Sequence, residues 1–240
     1  MDPRDRIIVA LDTHDQAELL RLAKTLGPHV GSFKIGLEAV HAIGLKEAIN
    51  IVAPYGRVRG CVFVDTKLHD IPNTMAGAAK AIVRHPSVTF FNVHASAGPS
   101  GMRKVAEAKG KARLLAVTVL TSLDDEECVR VYGDSTEDTV RRLADLTKEC
   151  GVDGIICAPT DVEALRAAYP RMLLVTPGVR PVWAAANDQK RFTTPGAAIR
   201  KGSTHLVIGR PITNPPEDVG SPLAAAALIA DEIAEALSDR

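Results

Sequence analysis

Short apolar runs alternate with amphipathic stretches along the whole chain, and this alternation limits the possible folds more than any other feature. The runs fall at 7–11, 33–36, 62–65, 88–93, 114–119, 154–157, 172–175 and 205–208. Helical patterns lie between them, at 15–26, 37–52, 72–84, 101–108, 136–150, 161–168, 195–201 and 223–237. In the first helix Leu19, Leu22, Ala23 and Leu26 share one face. A polar connection, 122–134, precedes the helix at 136–150, and a loop rich in Pro, Asn, Asp and Gln follows the seventh run.

The runs are nearly continuous in apolar residues rather than alternating, as in parallel strands covered on both faces. Aliphatic residues dominate the 46% hydrophobic content and aromatics make up 4%, which suits such a sheet under Ala- and Leu-rich helices. Eight strand–helix units in 240 residues predict an α/β fold, a single (β/α)8 TIM barrel. The runner-up is a doubly wound open sheet, which has fewer strands and a glycine-rich first turn. Here the first turn, Val9-Ala10-Leu11-Asp12-Thr13-His14, has no glycine. Neither a linker nor a composition shift divides the chain, so one catalytic domain is expected over 1–240.

Lys plus Arg equals Asp plus Glu at 29 each, so no global field recruits nucleic acid or an anionic membrane. Cys61, Cys128, Cys150 and Cys157 show no CxxC spacing, and Cys61 and Cys157 fall in apolar strands. They are expected as buried, reduced thiols of a cytoplasmic protein. The first residues run into a strand without a signal-peptide core. The apolar run 223–230 is too short to span a bilayer and reads as a packed helix.

Barrel active sites lie at the carboxyl ends of the strands. That rim carries Asp12, Lys34, Asp65 with Lys67 and Asp70, His94, Thr121, Pro177 to Arg180, and Gly209 with Arg210. Each has a plainer reading. Asp12 and Asp70 stand near helix starts, where a carboxylate caps or meets the dipole. Lys34 could be a surface lysine, although Phe33 and Ile35 flank it, and His94 and Thr121 could satisfy local hydrogen bonds. Thr176-Pro177-Gly178-Val179-Arg180 and Gly209-Arg210-Pro211 each join a glycine, open to close backbone approach, to an arginine able to grip phosphate. These are the positions after strands seven and eight where barrels bind phosphate, which favours that reading over two ordinary turns.

The densest feature is Asp65-Thr66-Lys67-Leu68-His69-Asp70-Ile71-Pro72-Asn73-Thr74. In a strand Asp65 and Lys67 point to one side, and Lys34 comes from the neighbouring strand. Opposite charges so placed hold one another ionised, and a lysine held this way is a preorganised cation and proton donor. Nothing resembles a closed zinc site, although two carboxylates could ligate Mg²⁺.

These segments, with Ile8-Val9-Ala10-Leu11-Asp12, Phe33-Lys34-Ile35-Gly36, Asn92-Val93-His94-Ala95, Leu120-Thr121-Ser122, Asn187-Asp188-Gln189 and Ile208-Gly209-Arg210, resemble the orotidine 5′-phosphate decarboxylase family over nearly the whole chain. The resemblance implies a carboxy-lyase that converts orotidine 5′-phosphate to UMP without a cofactor or metal. It implies a homodimer with shared active sites, in which Asp70, Ile71 and Thr74 reach the neighbouring site. Asp12 and Lys34 would meet the ribose, and Asp65 the substrate carboxylate. Lys67 would stabilise and protonate C6. Thr121 would lie near the ribose, Pro177 beside the pyrimidine, and Gln189 on a loop bridging base and phosphate. Arg180, Gly209 and Arg210 would hold the phosphate. Two alternatives are a Mg²⁺-dependent sugar-phosphate decarboxylase or aldolase sharing Asp-x-Lys-x-x-Asp, and a phosphate-ester-binding barrel without chemistry.

Overall fold

The computed structural model describes residues 2–57, 62–184 and 193–239. Eight strands, β1 (Ile7–Ala10), β2 (Ser32–Ile35), β3 (Val62–Leu68), β4 (Val88–His94), β5 (Arg113–Val117), β6 (Gly154–Ile156), β7 (Leu173–Thr176) and β8 (His205–Ile208), pair in sequence order, and β8 returns to β1 to close the barrel. Every pairing is parallel. The fold is the (β/α)8 barrel, and the open-sheet alternative falls because β1 is paired on both sides.

The helices follow the strands: α1 (Gln16–Leu26), α2 (Leu37–Ala42), α3 (Leu45–Val52), α4 (Pro72–Ile82), α5 (Pro99–Ala108), α6 (Asp125–Tyr132), α7 (Thr136–Glu149), α8 (Val162–Ala168), α9 (Pro195–Lys201), α10 (Arg210–Thr213) and α11 (Pro222–Ser238). Period-two alternation divides each strand between two cores. Ile7, Val9, Phe33, Val62 and Val64 join Leu19, Leu22, Ile49 and Ile229 in the layer between barrel and helices. Ile8, Phe63, Phe90, Leu115 and Val175 meet one another inside the barrel. There the Phe63 and Phe90 rings stand edge to face at 6.1 Å. The interior row therefore runs upward through Ala10, Lys34, Asp65 and Asn92, and the charged top of the barrel rests on an apolar floor.

Several expectations change. The helix expected at 37–52 is two helices, because Gly44 has φ 93, a conformation that ends one helix before the next begins. The connection at 122–134 contains α6, whose start is a capping box between Asp124 and Glu127 and whose end is Gly133 at φ 84. The strand expected to stop at 65 continues to Leu68 and carries Lys67 with it. Cys128, Cys150 and Cys157 are buried free thiols, and Cys61 lies outside the described residues.

At the amino end of the barrel His205 is buried, with its ring 5.3 Å from Phe90 and Nδ1 3.1 Å from the Thr204 hydroxyl. Burial, reinforced by the Arg6 charge and opposed by Asp5, pushes its imidazole down to about 4. An unfolded histidine titrates near ~6.5. The folded protein therefore keeps the full contribution of a neutral His205 above that value. It loses this contribution as pH falls from about 6.5 to about 4, by on the order of 3 kcal/mol. Urea unfolding at pH 7.5 and pH 4.5 is expected to show a smaller acid loss for His205→Gln than for the wild type, by about 2–3 kcal/mol. Equal acid losses would mean that His205 takes up its proton at the same pH in the folded and unfolded protein.

Candidate active site

The carboxyl ends of the strands surround a cavity of about 270 Å³. Asp12, Lys34, Asp65, Lys67, Thr121, Pro177, Arg180, Gly209 and Arg210 all line it. A wider hollow of about 610 Å³ lies on the outside of the barrel by α7 and α8 and contains none of these residues. The inner wall of the first cavity is apolar, built from Phe63, Val117, Ile156 and Val207. Cys157 also lines this wall, and burial pushes its thiol up to about 12, so it is an uncharged surface and not a nucleophile.

The charged residues form a chain of ion pairs. Lys34 Nζ donates to Asp12 Oδ1 at 2.8 Å and lies 3.1 Å from Asp65 Oδ2. Lys67 Nζ donates to Asp65 Oδ1 at 2.7 Å. Asp65 is 7% exposed and Lys34 8%, so the surface-lysine reading fails for Lys34. Burial alone would raise the Asp65 carboxyl, but the charges of Lys34 and Lys67 and the bonds from Lys67 and Asn92 reverse this and hold it below the usual carboxylate value. Burial alone would likewise lower Lys34, and Asp65 and Asp12 reverse it, so its ammonium is held above the usual lysine value. Asp12 does not cap α1, since Asp15 is the N-cap there. Gly36 leaves room for the Asp12–Lys34 pair: a Cβ at that position would lie 2.9 Å from both Asp12 Oδ1 and Lys34 Nζ, and the two side-chain ends would have to shift.

Lys67 is the one non-glycine residue at positive φ among the described residues, at 50°. A side chain in that region costs on the order of 1–3 kcal/mol. The cause is a break in register: Val64 pairs with Phe91 and Leu68 with Val93, so Asp65, Thr66 and Lys67 face Asn92 alone. Asn92 had no role in the sequence reading beyond its place in a motif. It is fully buried, its Oδ1 accepts the Lys67 N–H at 2.8 Å, and its Nδ2 donates to Asp65 Oδ1 at 2.7 Å. A polar residue inside an apolar strand run was the signal available for it.

Gly178, at φ 74, turns the chain after β7. Arg180 beyond it is 5% exposed, and its N–H donates to Thr193 O at 2.9 Å, pinning the two ends of the loop between them. Arg210 is exposed at the start of α10. Gln189 lies outside the described residues. Asp70, Ile71 and Thr74 are exposed and stand apart from the cavity. Asp70 accepts the Ile71 N–H at 2.6 Å but is not the cap of α4, where Ile71 holds that position without a side-chain bond. His94 lies beside His69, with the rings 5.6 Å apart, and does not line the cavity. Burial, then the His69 and Lys67 charges, lowers its imidazole below the usual value.

The family model described as orotidine 5′-phosphate decarboxylase / HUMPS matches residues 5–224. The orotidine 5′-phosphate decarboxylase of Syntrophomonas wolfei is 42% identical, over 98% of this chain and 100% of that protein. The enzyme of the same name from Moorella thermoacetica is 44% identical, over 97% of this chain and 94% of that protein. The crystal structure of orotidine 5′-phosphate decarboxylase from Lactobacillus acidophilus has a TM-score of 0.77 and 33% identity, covering 95% of this chain and 98% of that one. With a match across nearly its full length, and a barrel whose strand ends gather two lysines around a buried aspartate, the chain belongs to the orotidine 5′-phosphate decarboxylase / HUMPS family.

Proposed function

We propose that this protein decarboxylates orotidine 5′-phosphate to UMP, the closing step of pyrimidine nucleotide synthesis, with Lys67 as the cation and acid. The observation that carries the proposal is the Lys34–Asp65–Lys67 arrangement in a cavity whose inner wall is apolar. Cleavage of the bond between C6 and the carboxylate releases CO₂ and leaves the electron pair on C6. The Lys67 ammonium stabilises that charge and transfers a proton to C6, and solvent reprotonates the amine. No electron sink is invoked. Asp65 faces the departing carboxylate, and its two lysine partners make it a poor seat for a divalent cation.

Asp12, Lys34 and Thr121 take the ribose, Pro177 borders the pyrimidine, and Arg180, Gly209 and Arg210 hold the phosphate, with Gln189 bridging from the loop. The gathering of Asp12, Lys34, Thr121, Pro177, Arg180, Gly209 and Arg210 around one cavity supports the roles given to them. The barrier reduction required lies toward the upper part of the ~8–23 kcal/mol range for enzymes. One preorganised cation supplies about 3–4 kcal/mol by analogy with an oxyanion donor. Phosphate binding must therefore contribute to the chemical step and not only to affinity.

The active unit is a homodimer in which Asp70, Ile71 and Thr74 complete the neighbouring site. Their exposure outside this chain's own cavity supports that reading, and Ile71 at 66% exposure is an apolar side chain in need of a partner. The protein is assigned to the cytoplasm, in keeping with its free buried thiols. Among the described residues no helix is long and apolar enough to cross a membrane.

The deciding assay follows the loss of orotidine 5′-phosphate absorbance and the formation of UMP in excess EDTA. Full turnover is expected, and Lys67→Ala should lower kcat by at least ~10²–10³-fold with the fold retained. An absolute Mg²⁺ requirement, or near-normal turnover by Lys67→Ala, would defeat the proposal. Arg210→Ala is expected to lower kcat/KM for orotidine 5′-phosphate by about 10–100-fold, the strength of a charge-assisted bond, while a substrate without phosphate is barely affected. Equal losses on both substrates would remove Arg210 from the phosphate site. Mixing Asp70→Ala with Lys67→Ala protein should restore part of the activity through hybrid dimers. No recovery, with subunit exchange demonstrated, would confine the site to one chain.

A further inference from the structure

We infer that Asn92 is a positioning residue for catalysis: its buried amide holds the β3 bulge in the conformation that brings Lys67 and Asp65 to the reacting centre. The inference rests on the decarboxylase reading above and deepens it. Between the Val64–Phe91 and Leu68–Val93 pairs, Asp65, Thr66 and Lys67 occupy β3 while Asn92 alone occupies β4. In a regular parallel ladder the Lys67 N–H would find a backbone partner, and in the bulge it finds the Asn92 side-chain oxygen at 2.8 Å. The same amide donates to Asp65 Oδ1 at 2.7 Å, the oxygen that also accepts from Lys67 Nζ.

The orientation of the Asn92 amide follows from chemistry. A backbone N–H can only donate, and an ionised carboxylate can only accept, so the oxygen must face Lys67 and the nitrogen Asp65. Asparagine is suited to this place because it offers both roles without charge. An aspartate in its place would set a second carboxylate against Asp65, and a lysine there would add a third cation beside Lys34 and Lys67. The amide also offsets the cost of the Lys67 backbone, whose φ of 50 would otherwise relax. Because Asn92 is fully buried behind Asp65 and does not line the cavity, it acts through these two residues and not by touching substrate.

A small displacement of a reacting group costs about 10²-fold in rate. Asn92→Ala and Asn92→Asp are compared with the wild type for kcat, for UMP affinity, for melting temperature and for hydrogen exchange at the Lys67 amide. Asn92→Ala is expected to lose about 10²-fold in kcat while UMP affinity stays within about threefold, because the phosphate and ribose contacts are untouched. Its Lys67 amide should lose at least about tenfold in exchange protection, the equivalent of one hydrogen bond. Asn92→Asp keeps the acceptor and the volume but regains a donor only when protonated, and the neighbouring Asp65 favours its protonation. Its kcat relative to wild type should rise by at least about tenfold between about pH 8 and pH 5, within the roughly thousandfold ceiling that one proton sets over about three pH units. Unchanged kcat in both variants would overturn the inference. So would a flat pH ratio, or parallel loss of kcat, UMP affinity and melting temperature in both variants, which marks a purely structural role. A wild type that leaves orotidine 5′-phosphate intact would defeat the decarboxylase reading instead, and the Lys67 amide protection would still decide whether Asn92 holds the bulge.

Discussion

A carboxylate buried between two ammonium groups governs the arrangement of this barrel. Removing Asp65 from water costs several kcal/mol, and an unpaired buried charge would shift its equilibrium toward neutrality instead. Lys34 and Lys67 on its two oxygens, with Asn92 as a third donor, make the ionised form the stable one. The converse also holds, because Lys34 is as deeply buried as Asp65 and relies on Asp65 and Asp12 for its charge. Asp65 and Lys34 are each held as ions by the charges around them. The array is charged before any ligand arrives, so little reorganisation remains for the moment of reaction.

The barrel supplies the rigidity that such an array needs. Lys34, Asp65 and Asn92 project from strands locked to their neighbours on both sides, above the apolar floor of Ile8, Phe63, Phe90, Leu115 and Val175. Two local departures from regularity adapt this frame to chemistry. Gly36 leaves the space in which Asp12 and Lys34 meet. The bulge in β3 turns Lys67 into the cavity at the expense of an unfavourable backbone angle. Strain of this kind persists only where surrounding bonds overdetermine it, and here the bonds of Asn92 and of the Lys67 ammonium do so.

The nearly continuous apolar runs and the period-3.6 patterns between them made the barrel legible, because each strand had to be apolar on both faces and each helix on one. The charged cluster was legible for the same reason, since Asp65, Lys67 and Lys34 interrupt runs that otherwise read as buried. The helix α6 does carry a local signal, since Asp124-x-x-Glu127 is a capping box, but its acidic run gives it the composition of a polar connection. Gly44 between two helical patterns was a similar local signal. Asn92 stood out as a polar residue in an apolar run, but its partners, like the extension of β3, were not legible. They depend on which residue of β4 stands opposite β3, and a register shift between strands leaves no mark in either strand alone. Asp70 was read correctly as lying near a helix start, but its hydrogen bond to the next residue leaves the cap of α4 to Ile71.

The two ends of the cavity divide the electrostatic work. The Asp12, Lys34, Asp65 and Lys67 side chains sum to zero charge, so their end attracts no anion at long range and acts by position. Arg180 and Arg210 line the side formed by the β7 and β8 loops, where attraction is what a doubly ionised phosphate requires. Under the proposed reading, binding energy gathered at the arginines holds a substrate whose carboxylate is pressed toward Asp65, an encounter that would be unfavourable on its own. That reading assigns affinity and reactivity to different walls of one cavity, with the rigid barrel between them coupling the two.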